Sequence, residues 1–196
     1  MLQARDLTLE RLFEPVFAPV NLDVAGGELW LLSGANGRGK TTLIRLFAGL
    51  LRPSTGRLTR CVKVSYLGHQ LGVKDDLTVA ENLRFYSALA GTEPGTVGAA
   101  IERLGLRGLE QQAARTLSAG QRKRCALARL LLHPQPLWLL DEPYANLDAD
   151  GIHQVDGLIR EQLRRGGACV LSTHGALRPA SLPYQELALQ APEYAP

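Results

Sequence analysis

A chain of 196 residues fits one compact domain, with room for a small insertion but not for a second globular unit. An apolar fraction of 45% and a charged fraction of 21% describe an ordinary folded protein whose core needs neither disulfides nor a structural metal. Its 22 basic and 19 acidic residues leave a net charge of +3, too mild for a nucleic-acid surface and compatible with a nearby anionic ligand or membrane face.

The segment from Leu2 to Val24 alternates apolar and polar residues, which predicts antiparallel strands. Arg5, Asp6, Glu10 and Arg11 interrupt any apolar stretch there, so no signal peptide is expected. Leu29–Leu32 reads as a buried strand, followed by a glycine-rich loop and a helix from Thr41 to Leu51. Val62–Tyr66 predicts a second buried strand. From Asp75 to Thr116 the pattern is helical without a strand, with helices over Val79–Ala90 and Val97–Leu104. A further helix over Ala119–Leu132 extends this small helical lobe to about residues 75–130. Then come a strand at Leu137–Leu140, a helix from Ile152 to Arg165, a strand at Ala168–Ser172 and a short strand near Gln185–Leu189. Strands alternating with helices imply an α/β fold, a mainly parallel sheet covered on both faces. No window reaches the roughly 18 apolar residues of a spanning helix. Cys61, Cys125 and Cys169 are dispersed and form no CxxC pair, so they read as core thiols of a reducing, cytoplasmic compartment.

Directly after the first buried strand stands Gly34-Ala35-Asn36-Gly37-Arg38-Gly39-Lys40-Thr41-Thr42. This is the spacing of a phosphate-binding loop in its strand–loop–helix setting. Its glycines let successive backbone N–H groups surround an anion, and the following helix adds its positive end. Lys40 supplies a point charge to the β- and γ-phosphates, and Thr41 offers a hydroxyl to Mg²⁺. Arg38 belongs to the loop and is expected to reach into solvent rather than toward a partner subunit, with no assigned role. The strand Leu137–Leu140 ends in Asp141-Glu142, and in an open α/β sheet that carboxyl edge is where ligands bind. Asp141 suits a magnesium ligand and Glu142 a residue that polarises the attacking water.

Leu117-Ser118-Ala119-Gly120-Gln121, with its basic continuation through Arg129, resembles the signature motif of ATP-binding-cassette proteins. Ala119 stands where that motif usually has glycine. By itself Ser118 reads as a helix N-cap. The resemblance implies a P-loop cassette domain, an ATPase that works as a head-to-tail dimer. Ser118, Gly120 and Gln121 of one copy would then close on the γ-phosphate held by the other. It further implies that Gln70 senses nucleotide, contacts the metal and meets the membrane partner, that His174 contacts the γ-phosphate, and that Ala145–Asp148 form a loop crossing the dimer interface. An adenine-stacking aromatic is expected, with Phe13 the better candidate and Phe17 the alternative.

The passage from Leu67 to Tyr86, the signature segment and Leu137–Pro143 are more narrowly similar to the haem-exporter ATPases of bacterial cytochrome c maturation. That likeness implies a peripheral subunit at the cytoplasmic face of the inner membrane. Its partners would be a membrane-spanning CcmB-like subunit and haem-handling proteins, with ATP hydrolysis driving release of a haem-loaded chaperone. The ATPase of another exporter or importer would carry the same catalytic residues. Soluble cassette ATPases of translation or DNA repair usually have tandem cassettes or long coiled-coil insertions, and neither is present here.

Overall fold

The computed structural model describes residues 1–93, 95–173, 178–179 and 181–192. The chain divides into two compact units. The first comprises Met1–Gly68, Pro136–Pro143 and Asp156–Pro196; the second comprises His69–Gln135 and Tyr144–Val155.

In the first unit, β1 (Leu2–Thr8), β4 (Val20–Val24) and β6 (Thr55–Arg60) form an antiparallel sheet in the order β4-β1-β6. Strict alternation buries Val20, Leu22 and Val24 on one face of β4. The short hairpin of β2 (Glu10–Arg11) and β3 (Glu14–Pro15) lies between β1 and β4 in the chain. No strand was expected at β6, whose Thr-Gly-Arg-Leu-Thr-Arg sequence buries almost nothing. It is an edge strand, held by backbone pairing to β1 rather than by an apolar face.

The second sheet is wholly parallel, in the order β10-β5-β9-β8-β7, and gathers β5 (Leu29–Ser33), β7 (Val64–Leu67), β8 (Leu137–Asp141), β9 (Ala168–Ser172) and β10 (Gln185–Ala188). Every residue of β8 and β9 is buried, which explains their unbroken apolar runs. Helix α1 (Lys40–Ala48) packs on this sheet through Leu43, Ile44, Leu46 and Phe47, all fully buried. The same core continues beneath the antiparallel sheet to Leu2, Leu7 and Phe17. The α/β expectation of a mainly parallel sheet with antiparallel N-terminal strands is therefore met.

The second unit holds α2 (Val79–Ala90), α3 (Gly95–Arg103) and α4 (Ala119–Leu132), each packed against the other two. Asn82, 1% exposed, fastens the approach to α2 by accepting from the Lys74 N–H at 2.8 Å and donating to the carbonyls of Lys74, Leu77 and Thr78. Arg129 donates to the Leu71 carbonyl at 2.6 Å and to the Tyr86 hydroxyl at 3.1 Å, and Tyr86 donates to the Gly72 carbonyl. Helix α5 (Ala149–Arg164) runs from the second unit into the first. Cys125 and Cys169 are buried as expected, but Cys61 is exposed, just past the end of the edge strand β6. Among the described residues no helix is long and apolar enough to cross a membrane.

Candidate functional site

The glycine-rich loop joins the carboxyl end of β5 to α1. Gly39, the residue before α1, has φ 88°, and a Cβ there would come within 2.7 Å of the Phe17 ring and 2.8 Å of Val16. Only glycine satisfies both the left-handed backbone and that close approach. No side chain caps α1 and its first turn carries no acid, so its leading N–H groups keep their positive potential for a ligand. Lys40, a residue only 7% exposed, donates through its ammonium to the carbonyls of Gly34 at 2.6 Å and Ala35 at 3.1 Å. The cation thus rests on the loop's own oxygens, within reach of anything the loop encloses.

Beside the loop, the register of β8 against β9 sets Asp141 opposite Ser172. Asp141 Oδ1 accepts from Ser172 Oγ at 2.7 Å and from Thr41 Oγ1 at 3.1 Å. Ser172 Oγ in turn accepts from the Glu142 N–H at 3.1 Å. Asp141 is 1% exposed, yet its Oδ2 has no hydrogen-bond partner among the described residues. A buried carboxylate oxygen without a partner is costly and fits a cation or its water shell. Among the described residues no group of three or more His, Cys, Asp or Glu side chains is placed to hold a metal ion. The available donor set is therefore one carboxylate and one hydroxyl, to be completed by phosphate oxygens, which is how Mg²⁺ is usually held. Glu142 has φ 53°, an unusual conformation for a non-glycine residue, placed at the end of β8.

A cavity of about 260 Å³ opens on this arrangement, lined by Asn36 through Thr42, by Glu142, and by Arg11 and Val16 of the N-terminal segment. Of the aromatic candidates, Phe17 is fully buried in the core, and Phe13 is 98% exposed at the hairpin turn, outside the cavity lining. Arg38 does line the cavity.

Apart from His174, the remaining expected residues belong to the second unit. Ser118 caps α4: its hydroxyl accepts from the Gln121 N–H at 3.2 Å, and Gln121 Oε1 accepts from the Ser118 N–H at 2.9 Å. A Cβ on Gly120 would lie 2.8 Å from the Asn146 carbonyl, so the first turn of α4 meets the 144–148 loop backbone to backbone. Asp148 Oδ1 accepts from the Gly151 N–H at 2.8 Å and from Arg124 at 2.7 Å. These bonds, the backbone one foremost, hold the Asp148 carboxyl below its ordinary pKa. Gln70 is exposed in the bend after β7. His174 lies outside the described residues.

Sequence reasoning missed Ser172, Arg11 and Val16 as parts of the site. Ser172 left a faint signal, a small polar residue closing a buried strand. Arg11 and Val16 left none, because only the fold brings the hairpin to the loop.

A family model described as "ABC transporter" matches residues 17–145. The cytochrome c biogenesis ATP-binding export protein CcmA of Xanthomonas axonopodis pv. citri is 49% identical over 187 residues, covering 90% of this chain and 87% of that protein. The protein of the same name from Pseudomonas putida is 39% identical, covering 96% of each. Among solved structures, a putative ABC transporter ATP-binding protein from Pyrococcus furiosus matches with TM-score 0.82 at 26% identity over 96% of each chain. An ATP-binding cassette in a dimeric post-hydrolysis state with ADP and Pi matches with TM-score 0.86 and 20% identity, over 97% of this chain and 94% of that one. At that identity the second likeness speaks for the fold alone.

Proposed function

This chain belongs to the ABC transporter family of ATPases, and we propose that it is the ATP-hydrolysing subunit of an export complex serving cytochrome c biogenesis. The observation that carries the reaction is the hydrogen-bonded network Thr41–Asp141–Ser172–Glu142, buried at Asp141 and Ser172 and set against an uncapped helix N-terminus. The CcmA likeness supports the pathway.

In this reading the amides of residues 36–42 and Lys40 take the phosphates of ATP, with Lys40 exchanging the carbonyls of Gly34 and Ala35 for phosphate oxygens. Thr41 and Asp141 hold a magnesium ion, which supplies charge neutralisation at the transferring phosphate, and Gln70 reports on its occupancy. Glu142 accepts a proton from the water that attacks the γ-phosphate, and His174 contacts that phosphate. Ser118, Gly120, Gln121 and Asp148 act at the same phosphate from a second copy, so two chains close head to tail on two nucleotides. The movement is passed to a membrane-spanning CcmB-like subunit and its haem-handling partners at the cytoplasmic face of the inner membrane.

The test is Glu142→Gln. The purified variant should bind ATP but lose turnover by roughly a hundredfold or more. At the chromosomal locus it should abolish covalently bound haem in c-type cytochromes while the protein is still made. Normal haem staining beside lost turnover would keep the ATPase and discard cytochrome c biogenesis as its process.

A further inference from the structure

A nucleotide whose phosphates occupy residues 36–42 must direct its base toward some other wall of the cavity. Apart from the loop and the first turn of α1, that lining consists of Glu142, Arg11 and Val16. Glu142 follows Asp141, which is bonded to Thr41, so this wall lies at the reacting phosphate. The hairpin side, Arg11 and Val16, is what remains for the base. We propose that Arg11 contacts the base with the flat face of its guanidinium, in place of the aromatic ring expected there, and that the site consequently discriminates weakly between ATP and GTP. This rests on the reading of the cavity as a nucleotide site.

The two aromatic candidates are otherwise placed. Phe17 is fully buried and its ring abuts Gly39 from within the core, so it supports the loop from behind. Phe13 is at the far turn of the hairpin, almost wholly exposed. Arg11 pairs across the hairpin with Glu14 through the backbone, and the segment is anchored by the Val16 N–H donating to the Leu9 carbonyl at 2.8 Å. Its side chain is exposed and makes no hydrogen bond or ion pair with the described residues.

A guanidinium is planar and weakly hydrated, and it stacks on π-systems. Stacking engages the ring face and is indifferent to the exocyclic groups that distinguish adenine from guanine. Val16 is apolar and reads no base edge, and in this reading the loop amides, Lys40 and Thr41 serve the phosphates and the metal. The wall therefore offers the base a cation and a methyl surface, with no donor–acceptor pattern to select one purine.

The experiment measures dissociation constants of the full-length protein for ATP, GTP and inorganic tripolyphosphate, with Mg²⁺ present. The unmodified protein should bind ATP and GTP within about threefold, as face-only stacking requires. Arg11→Ala should weaken both by roughly 5- to 30-fold. It should leave tripolyphosphate, which has no base, unchanged. Arg11→Tyr should restore nucleotide affinity, and Leu12→Ser on the same turn should have no effect. Equal losses for tripolyphosphate would place Arg11 on the phosphates and overturn the base contact. So would an Arg11→Ala variant that binds ATP normally. GTP binding more than tenfold weaker than ATP would overturn the claim of weak discrimination. The underlying site has its own control: if Lys40→Ala binds ATP and tripolyphosphate undiminished, the nucleotide site itself is misplaced.

Discussion

The Ser172 hydroxyl links the Asp141 carboxylate to the backbone of Glu142, the two residues proposed to act at the phosphates. It donates to Asp141 Oδ1 at 2.7 Å and accepts the Glu142 N–H at 3.1 Å, with no exposure to solvent. Through it, the left-handed backbone of Glu142 is tied to the neighbouring strand. Ser172→Ala removes both bonds, among them the one made by the part-buried Glu142 N–H. We expect a stability loss of about 1–3 kcal/mol in urea unfolding. Single-turnover hydrolysis should fall at least roughly tenfold, because the geometry of Glu142 relaxes, while ATP affinity, set by the loop, stays near its original value. Unchanged single-turnover rates would mean that β8 fixes the carboxylates unaided. This residue also marks how far the site could be read in the sequence. Lys40, Thr41, Asp141 and Glu142 announce themselves by local spacing, since each motif is complete within a few residues. Ser172 joins them only through the pairing of two strands that lie 31 positions apart at this contact, and no local pattern encodes that register.

Elements were legible in proportion to how much apolar surface they bury. β5, β8 and β9 form continuous apolar runs because the parallel sheet covers both their faces, and their expected limits nearly match the observed ones. The edge strand β6 left no such trace, and β7, with only Leu67 fully buried, lies slightly later than expected. The turn between β4 and β5 is held by electrostatics instead. There Glu28 accepts from the Ala25 N–H and the Trp30 indole, each at 2.9 Å. These two bonds, the Ala25 one first, hold its carboxyl below the ordinary pKa. A depressed folded-state value means the stabilisation is complete above the unfolded carboxylate pKa of about 4.3. It is lost as pH falls below that through the folded value. Glu28→Gln should therefore cost about 1 kcal/mol at pH 7, allowing for partial exposure. The urea midpoints of the two proteins should converge as pH drops below about 4. A constant difference between pH 7 and pH 3 would assign the loss to packing instead of charge.

At the scale of the whole molecule, α1 and α4 present helix N-termini that differ in kind. That of α1 lacks a side-chain cap, and that of α4 carries the reciprocal Ser118–Gln121 box. A capped terminus needs no ligand for its own stability, so Ser118 is explained within one chain as a helix cap. The proposed dimer asks more of it: that Ser118 and the exposed first turn of α4 meet the γ-phosphate held by a second copy. Each copy carries a net charge of +3, so association is opposed by self-repulsion until an anion lies between them. The Glu142→Gln variant should therefore migrate as a dimer with ATP and Mg²⁺ and as a monomer with ADP, by sedimentation velocity. Ser118→Asp, added to that variant, separates the two roles of the residue. Aspartate is as good an N-cap as serine, so thermal stability should change by less than about 1 kcal/mol. Its carboxylate would face the γ-phosphate, and like charges at that distance repel strongly in a site closed from water. The double variant should bind ATP yet stay monomeric, and Ser118→Asp alone should lose most of its ATP turnover. If instead the double variant dimerises as readily as Glu142→Gln, Ser118 is a cap and nothing more, and the second copy must complete the site through other residues.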